Sequence, residues 1–261
     1  MGTIVTIQVV RSSPDVESAI DRAFGWFHEI EERCSRFNER SELRQLTAQT
    51  GVAVPASAIL YETVRFALMV AEETGGAFDA TAGNSTEPRS YRDVQLDPDR
   101  RTITLRRPLT LDLGAVAKGL AVDTAARELE PFQDFVIDAG GDLYLGGSNE
   151  QGEAWSVGIR HPRRDDELID SLRVSNQAVC TSGDYERGRH ILDPRTGTPP
   201  EAVASATVVA SGAMLADALA TAAFVLGPEE GIQLLNRMGV EGLIVTPELE
   251  RYETRGLRHA G

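Results

Sequence analysis

Apolar and polar positions recur with two different periods along this chain, and the switches between the periods outline its elements. Residues 2–10 alternate and are rich in β-branched side chains, which predicts a strand. Ser13-Pro14-Asp15 then opens a helix, with Ser13 as cap and Pro14 in the first turn. Val16, Ala19, Ile20, Ala23, Phe24, Phe27 and Ile30 give that helix one apolar stripe ending near Cys34. CSRFNERSEL follows as a polar turn. A second helix is expected over 57–73, with Leu60, Val64, Ala67, Leu68 and Ala71 inward and Gly75-Gly76 closing it. The segment AFDATAG (77–83) reads as a loop, and short alternating runs at 94–96 and 102–105 around Asp97-Pro98-Asp99 predict a β-hairpin.

The central helix is expected within LDLGAVAKGLAVDTAAREL (111–129), where Val116, Leu120, Ala121, Thr124 and Ala125 share a face. Beyond it, strands are expected at 135–137, 143–145, 155–159, 172–174, 178–180 and 205–210, helices at 214–226 and from Pro228 to about 238, and a strand at 243–246. Strands and helices mix without steady β-α alternation. The prediction is therefore α+β, antiparallel sheet covered by helices, rather than a doubly wound parallel fold. At 261 residues the chain makes one large domain or two closely packed lobes.

Charge excludes some functions. A net charge of −14 argues against nucleic acid, which needs a basic face, and against an anionic membrane surface. No apolar run is long enough to span a bilayer. As it stands the chain is expected to be soluble and cytoplasmic, or exported or membrane-anchored if a leader was removed from a longer precursor. Cys34 and Cys180 have neither disulfide-framework nor metal spacing and read as small core residues. Neither common nucleotide fingerprint, G-x-G-x-x-G after a strand nor G-x-x-x-x-G-K-[ST], is present.

Candidate chemistry begins with an imbalance: 25 arginines stand against one lysine, Lys118. An ammonium is not interchangeable with a guanidinium fork in a tight site, although chance or a snorkelling side chain would also explain it. Asp112 and Lys118 bracket the start of the central helix, where free backbone N–H groups suit an anion. Asp217 and Thr221 lie four apart, on one face of a helix among alanines, and offer the hard oxygens that Mg²⁺ prefers. An acid serving the helix dipole and a threonine bonded to its own backbone is the plainer reading. His190, in RHILDPRTG, could be a general base or could simply brace the turn. Gly140-Gly141 and Thr181-Ser182-Gly183 are strand-end turns able to present N–H groups to a ligand. Phe37 and Phe78 read as core, with ring-stacking platforms as the alternative.

Taken in order, MGT (1–3), SRFNERSEL (35–43), GAFDATAG (76–83), LDLGAVAKGLAVD (111–123), IDAGGD (137–142), WSVGIRHP (155–162), AVCTSGDYER (178–187), RHILDPRTGTP (189–199) and ADALATAAFVLG (216–227) resemble the ApbE family. These are FAD:protein FMN transferases. The resemblance covers nearly the whole chain and implies a T-fold-related architecture of antiparallel sheets covered by helices, with the ligand in a central cleft. It implies Mg²⁺-dependent transfer of FMN from FAD to a Ser or Thr hydroxyl of an acceptor flavoprotein, with release of AMP. Asp217 and Thr221 would be metal ligands together with the Ala115 carbonyl. Met1, Phe37, Ala77, Phe78, Asp79, Asp112, Lys118, His190, Ile191 and Leu192 would contact FAD, with His190 and Lys118 as the catalytic pair. The chain departs from the family pattern in a short, polar 84–92 segment and in Ala80 where a proline is common. The shortened segment leaves two alternatives in play: FAD pyrophosphatase activity giving FMN and AMP, and FAD binding without turnover.

Overall fold

The computed structural model describes residues 2–81, 90–164, 166–184 and 191–260. In chain order the first half contains β1 (Val5–Val9), α1 (Val16–Cys34), α2 (Glu42–Thr47), β2 (Ala53–Pro55), α3 (Ala58–Glu73), β3 (Val94–Asp97), β4 (Thr102–Leu105) and α4 (Gly114–Leu129). The second half contains β5 (Phe135–Ala139), β6 (Asp142–Gly146), β7 (Trp155–Arg160), β8 (Leu168–Val174), β9 (Gln177–Gly183) and β10 (Ser205–Ala210). It ends with α5 (Ala213–Leu226), α6 (Pro228–Met238), β11 (Glu241–Val245) and β12 (Arg251–Glu253).

Among the described residues, seven strands form one sheet in the order β1-β5-β6-β9-β10-β11-β12, with every neighbouring pair antiparallel. The α+β expectation holds. All six residues of β10 are buried because both faces of the sheet are covered. Ala206, Val208 and Ala210 join the helix-side core, whereas Val209 packs with Leu145, Val179, Leu243 and Val245 under the β7–β8 ribbon, which contributes Val157, Ile159, Leu172 and Val174. A smaller sheet, β2-β4-β3, stands apart.

Alanine content explains where α5 sits. It is buried nearly all round, and Ala216, Ala218, Ala220, Ala222 and Ala223 let its backbone come close to the sheet and to α4. The closest approach is at Gly119 of α4. A Cβ there would lie 2.5 Å from both Cα and N of Met214, so glycine is required by space alone. α5 has Gly212 as its N-terminal cap residue and no side-chain cap of its own. Asp123 of α4 supplies one: Oδ1 accepts from Ala213 N at 2.6 Å and Oδ2 from Met214 N at 3.0 Å. Burial pushes the Asp123 carboxyl up in pKa, and those two N–H bonds oppose the shift. Asp123→Ala should cost about 1–2 kcal/mol of stability through the lost cap. Chemical denaturation checks this, and an unchanged midpoint would remove Asp123 from the anchoring of α5.

Several local expectations shift. The first helix begins at Val16, with Asp15 rather than Ser13 at the cap position and no side-chain capping bond. The tail of CSRFNERSEL is not a turn: it enters α2, whose cap Ser41 accepts from Arg44 N at 3.1 Å. On α4 the buried set is Val116, Ala117, Gly119, Ala121, Val122, Ala125, Ala126 and Leu129, while Leu120 and Thr124 are only half-buried. α4 is enclosed by α1, α5 and the sheet, so a single stripe underestimates its buried surface. Cys34 and Cys180 are buried and free, as expected. No helix among the described residues is long and apolar enough to cross a membrane.

Candidate active site

The site gathers where α4, α5 and the ends of β6 and β9 meet. Lys118 Nζ lies 2.6 Å from Oδ2 of Asp142, the first residue of β6. Burial alone would lower the Lys118 pKa, but the negative charges of Asp217 and Asp142 outweigh it and hold the pKa above the usual lysine value. Lys118 is therefore a fixed cation and not a proton acceptor. Asp217 is buried one helical turn before Thr221, and Ser182 Oγ at the end of β9 lies 3.3 Å from Thr221 Oγ1. Ala115 stands in the first turn of α4, about one turn ahead of Lys118.

Cys180, on β9, has its thiol pushed well up in pKa by burial first and by Asp142 and Asp217 next. Its Sγ lies 3.6 Å from the Ala213 carbonyl, and it is inert packing rather than a nucleophile.

A second group surrounds the start of α4. Asp112 Oδ1 accepts from Gly114 N at 2.9 Å, and the N–H groups of Val116 and Ala117 both go to the Leu113 carbonyl. Those donors are thus already occupied, which weakens the expectation that the bare helix end is the anion site. The positive charge nearby is that of Lys118, one turn into α4. Asp112 N donates to the Ala80 carbonyl at 2.7 Å, docking the 77–81 segment against α4. Asp79 braces that segment: Oδ1 accepts from Thr81 N and Oγ1, each at 2.8 Å, and Oδ2 from Tyr91 N at 2.9 Å. Arg36 Nε lies 3.2 Å from Asp112 Oδ2, and its guanidinium sits 4.5 Å from the centre of the Phe37 ring.

The two phenylalanines part company. Phe78 is core, with Ala77 beside it, whereas Phe37 is 81% exposed and is not the core residue the pattern suggested. Ile191 packs on the core and Leu192 is half-buried. Met1 and His190 lie outside the described residues. Asp142 and the Ser182 hydroxyl were missed in the sequence, although each belongs to a turn singled out there for its backbone. The signal was a charged residue opening an apolar strand directly after Gly140-Gly141.

Asp217 and the Thr221 and Ser182 hydroxyls offer hard oxygen donors. Among the described residues no group of three or more His, Cys, Asp or Glu side chains could hold an ion, so an all-protein cage is not built. One or two carboxylates plus hydroxyls, with room for substrate oxygens, is how Mg²⁺ is usually held. Two open cavities of about 280 and 320 Å³ lie elsewhere, around Glu130 and Tyr144 at the far end of α4. The only acid from the α4–α5 contact lining them, Asp123, is already spent on the α5 cap.

Comparison with known proteins decides the family. The model of the ApbE family matches residues 1–244. This chain belongs to the ApbE family. Its relatives include the FAD:protein FMN transferase of Treponema pallidum, 30% identical over an alignment covering 95% of this chain and 83% of that one. The FAD:protein FMN transferase of Vibrio cholerae is 28% identical, covering 94% and 85% of the two chains. Among solved structures, the ApbE protein of Thermotoga maritima superposes with a TM-score of 0.88 at 29% identity, covering 97% of this chain and 94% of that one. The flavinyl transferase ApbE of Pseudomonas stutzeri gives 0.85 at 27% identity, covering 97% and 91%.

Proposed function

We infer that this ApbE chain is an FAD:protein FMN transferase, with the whole length serving as one catalytic unit. The observation that carries the reading is the convergence of buried Asp142, Asp217 and Ser182 with half-buried Lys118 and Thr221, in a family member whose relatives bear that activity. The reaction is a phosphoryl-type transfer. An acceptor Ser or Thr oxygen forms a bond to the FMN-side phosphorus of FAD, the bridging P–O bond breaks, and AMP leaves.

Charge rises on the departing phosphate and on the entering oxygen, so stabilisation is mostly positioning and electrostatics. Mg²⁺ held by Asp217 and Thr221, with the Ala115 carbonyl, would offset the diphosphate charge. Lys118 presents a permanent positive charge to the same group. Asp112, Asp79 and the 77–81 segment shape the wall beside it, and exposed Phe37 offers a ring face to a flat heterocycle. His190 is the proposed base for the acceptor hydroxyl, a role supported by its family motif, with the proton passing from hydroxyl to imidazole. The acceptor is a flavoprotein with an accessible Ser or Thr.

Incubation of the chain with FAD, Mg²⁺ and a flavoprotein acceptor tests this. Expected products are AMP and an acceptor heavier by one FMN residue, retained after denaturation. Free FMN plus AMP with an unmodified acceptor would favour hydrolysis, and unchanged FAD would contradict an enzymatic role.

A further inference from the structure

We propose that Asp142 is the positioning residue for Lys118, fixing where the ammonium stands when the diphosphate of FAD arrives. The proposal rests on the transferase reading above. Lys118 rises from a helix on a stem with four rotatable bonds, and an ammonium has no fork geometry to orient it. Something must hold it, and Asp142 Oδ2 does so at 2.6 Å.

Asp142 is itself rigidly planted. It is 1% exposed and opens β6, paired in register with Ala139 of β5 across the Gly140-Gly141 turn. Both glycines have positive φ, 66° and 94°, and Asp138 Oδ1 accepts from Gly141 N at 2.8 Å. Thr3 packs so closely that a Cβ on Gly140 would lie 1.8 Å from its Oγ1. The carboxylate thus belongs to a turn that cannot drift, while the lysine belongs to α4, and the ion pair ties sheet to helix at the site.

A purely structural ion pair is the competing account. Buried pairs rarely add net stability over apolar packing of similar volume, so stability alone is a weak reason to bury one here. The chain uses arginine at all its other basic positions, yet places its one lysine opposite this acid and beside Asp217. A compact ammonium that feels the charge of a second acid, with its stem pinned by Asp142, is suited to face a diphosphate.

The single lysine makes the test direct, since ¹⁵N-lysine labelling gives one side-chain ammonium resonance. Asp142→Asn should lower kcat for flavin transfer by about 10–100-fold, as expected when a reacting group is misplaced by about an ångström. The KM for FAD should stay within about threefold, and the Lys118 resonance should shift or broaden. A kcat within about twofold of the parent overturns the proposal, and so does a fall in kcat with an unmoved Lys118 resonance. If Asp142→Asn does not fold, Asp142→Glu keeps the charge but moves it by one methylene, and the same two readouts must change. A parent protein that hydrolyses FAD without labelling an acceptor overturns the transferase reading alone, and the comparison then applies to hydrolysis. A parent without any FAD turnover overturns both.

Discussion

Asp217→Ala should remove nearly all Mg²⁺-dependent flavin transfer while leaving the protein folded. Asp217 is buried on α5, one turn before Thr221, and is the acid that stands on the same helix face as that hydroxyl. Loss of outer partners of metal ligands typically costs about 10–100-fold, so loss of a direct ligand should cost at least about 10²-fold in kcat/KM. Stability should respond far less. Alanine is the best helix former, and the substitution removes a buried acid from an alanine-rich helix. Activity measured across a Mg²⁺ titration, beside a thermal melt, separates the two effects. Equal turnover in parent and variant at every Mg²⁺ concentration would remove the metal assignment.

Gly119→Ala should damage stability and activity together. The added Cβ would meet Met214 Cα and N at 2.5 Å and Ala213 C at 2.6 Å, all of them backbone atoms that cannot rotate away. α4 and α5 must therefore separate, at a cost of about 1–3 kcal/mol for overpacking. Lys118 precedes this glycine on α4, and Asp217 lies one turn beyond Ala213 on α5, so separation also moves the lysine away from Asp217. Paired unfolding and turnover measurements check this. An alanine variant with parental midpoint and kcat would show that the two helices are not in contact at this point in solution.

Much of the fold could be read from pattern because its main elements carry strong periodicity. Of the stripe Val16, Ala19, Ile20, Ala23, Phe24, Phe27 and Ile30, all are buried except Ile20 and Phe24, which are half-buried, and β10 spans the residues its pattern predicted. What escaped was short or enclosed. α2 has six residues with only Leu43 and Leu46 inward, too few to establish a period. β2 and β12 are three residues each, and neither holds a fully buried residue. On α4 a one-stripe reading failed because the helix is packed on several sides.

At the site, pattern exposed the residues that share an element, such as Asp217 with Thr221. It could not expose pairs made by the fold. Asp142 meets Lys118 and Asp123 meets Ala213 only after strands and helices are assembled. Phe37 was misjudged because an aromatic in a short loop carries no periodicity to say which way it points. Arg36 and Asp112 form its setting, and they are far apart in the chain.

The measurement that bears most directly on the account is a crystal structure of the protein with FAD and Mg²⁺. The account predicts the ion about 2.1 Å from oxygens of both Asp217 and Thr221. The diphosphate should bind that ion within hydrogen-bonding reach of Lys118 Nζ. A diphosphate bound elsewhere, with Lys118, Asp217 and Thr221 all remote from it, would contradict the account.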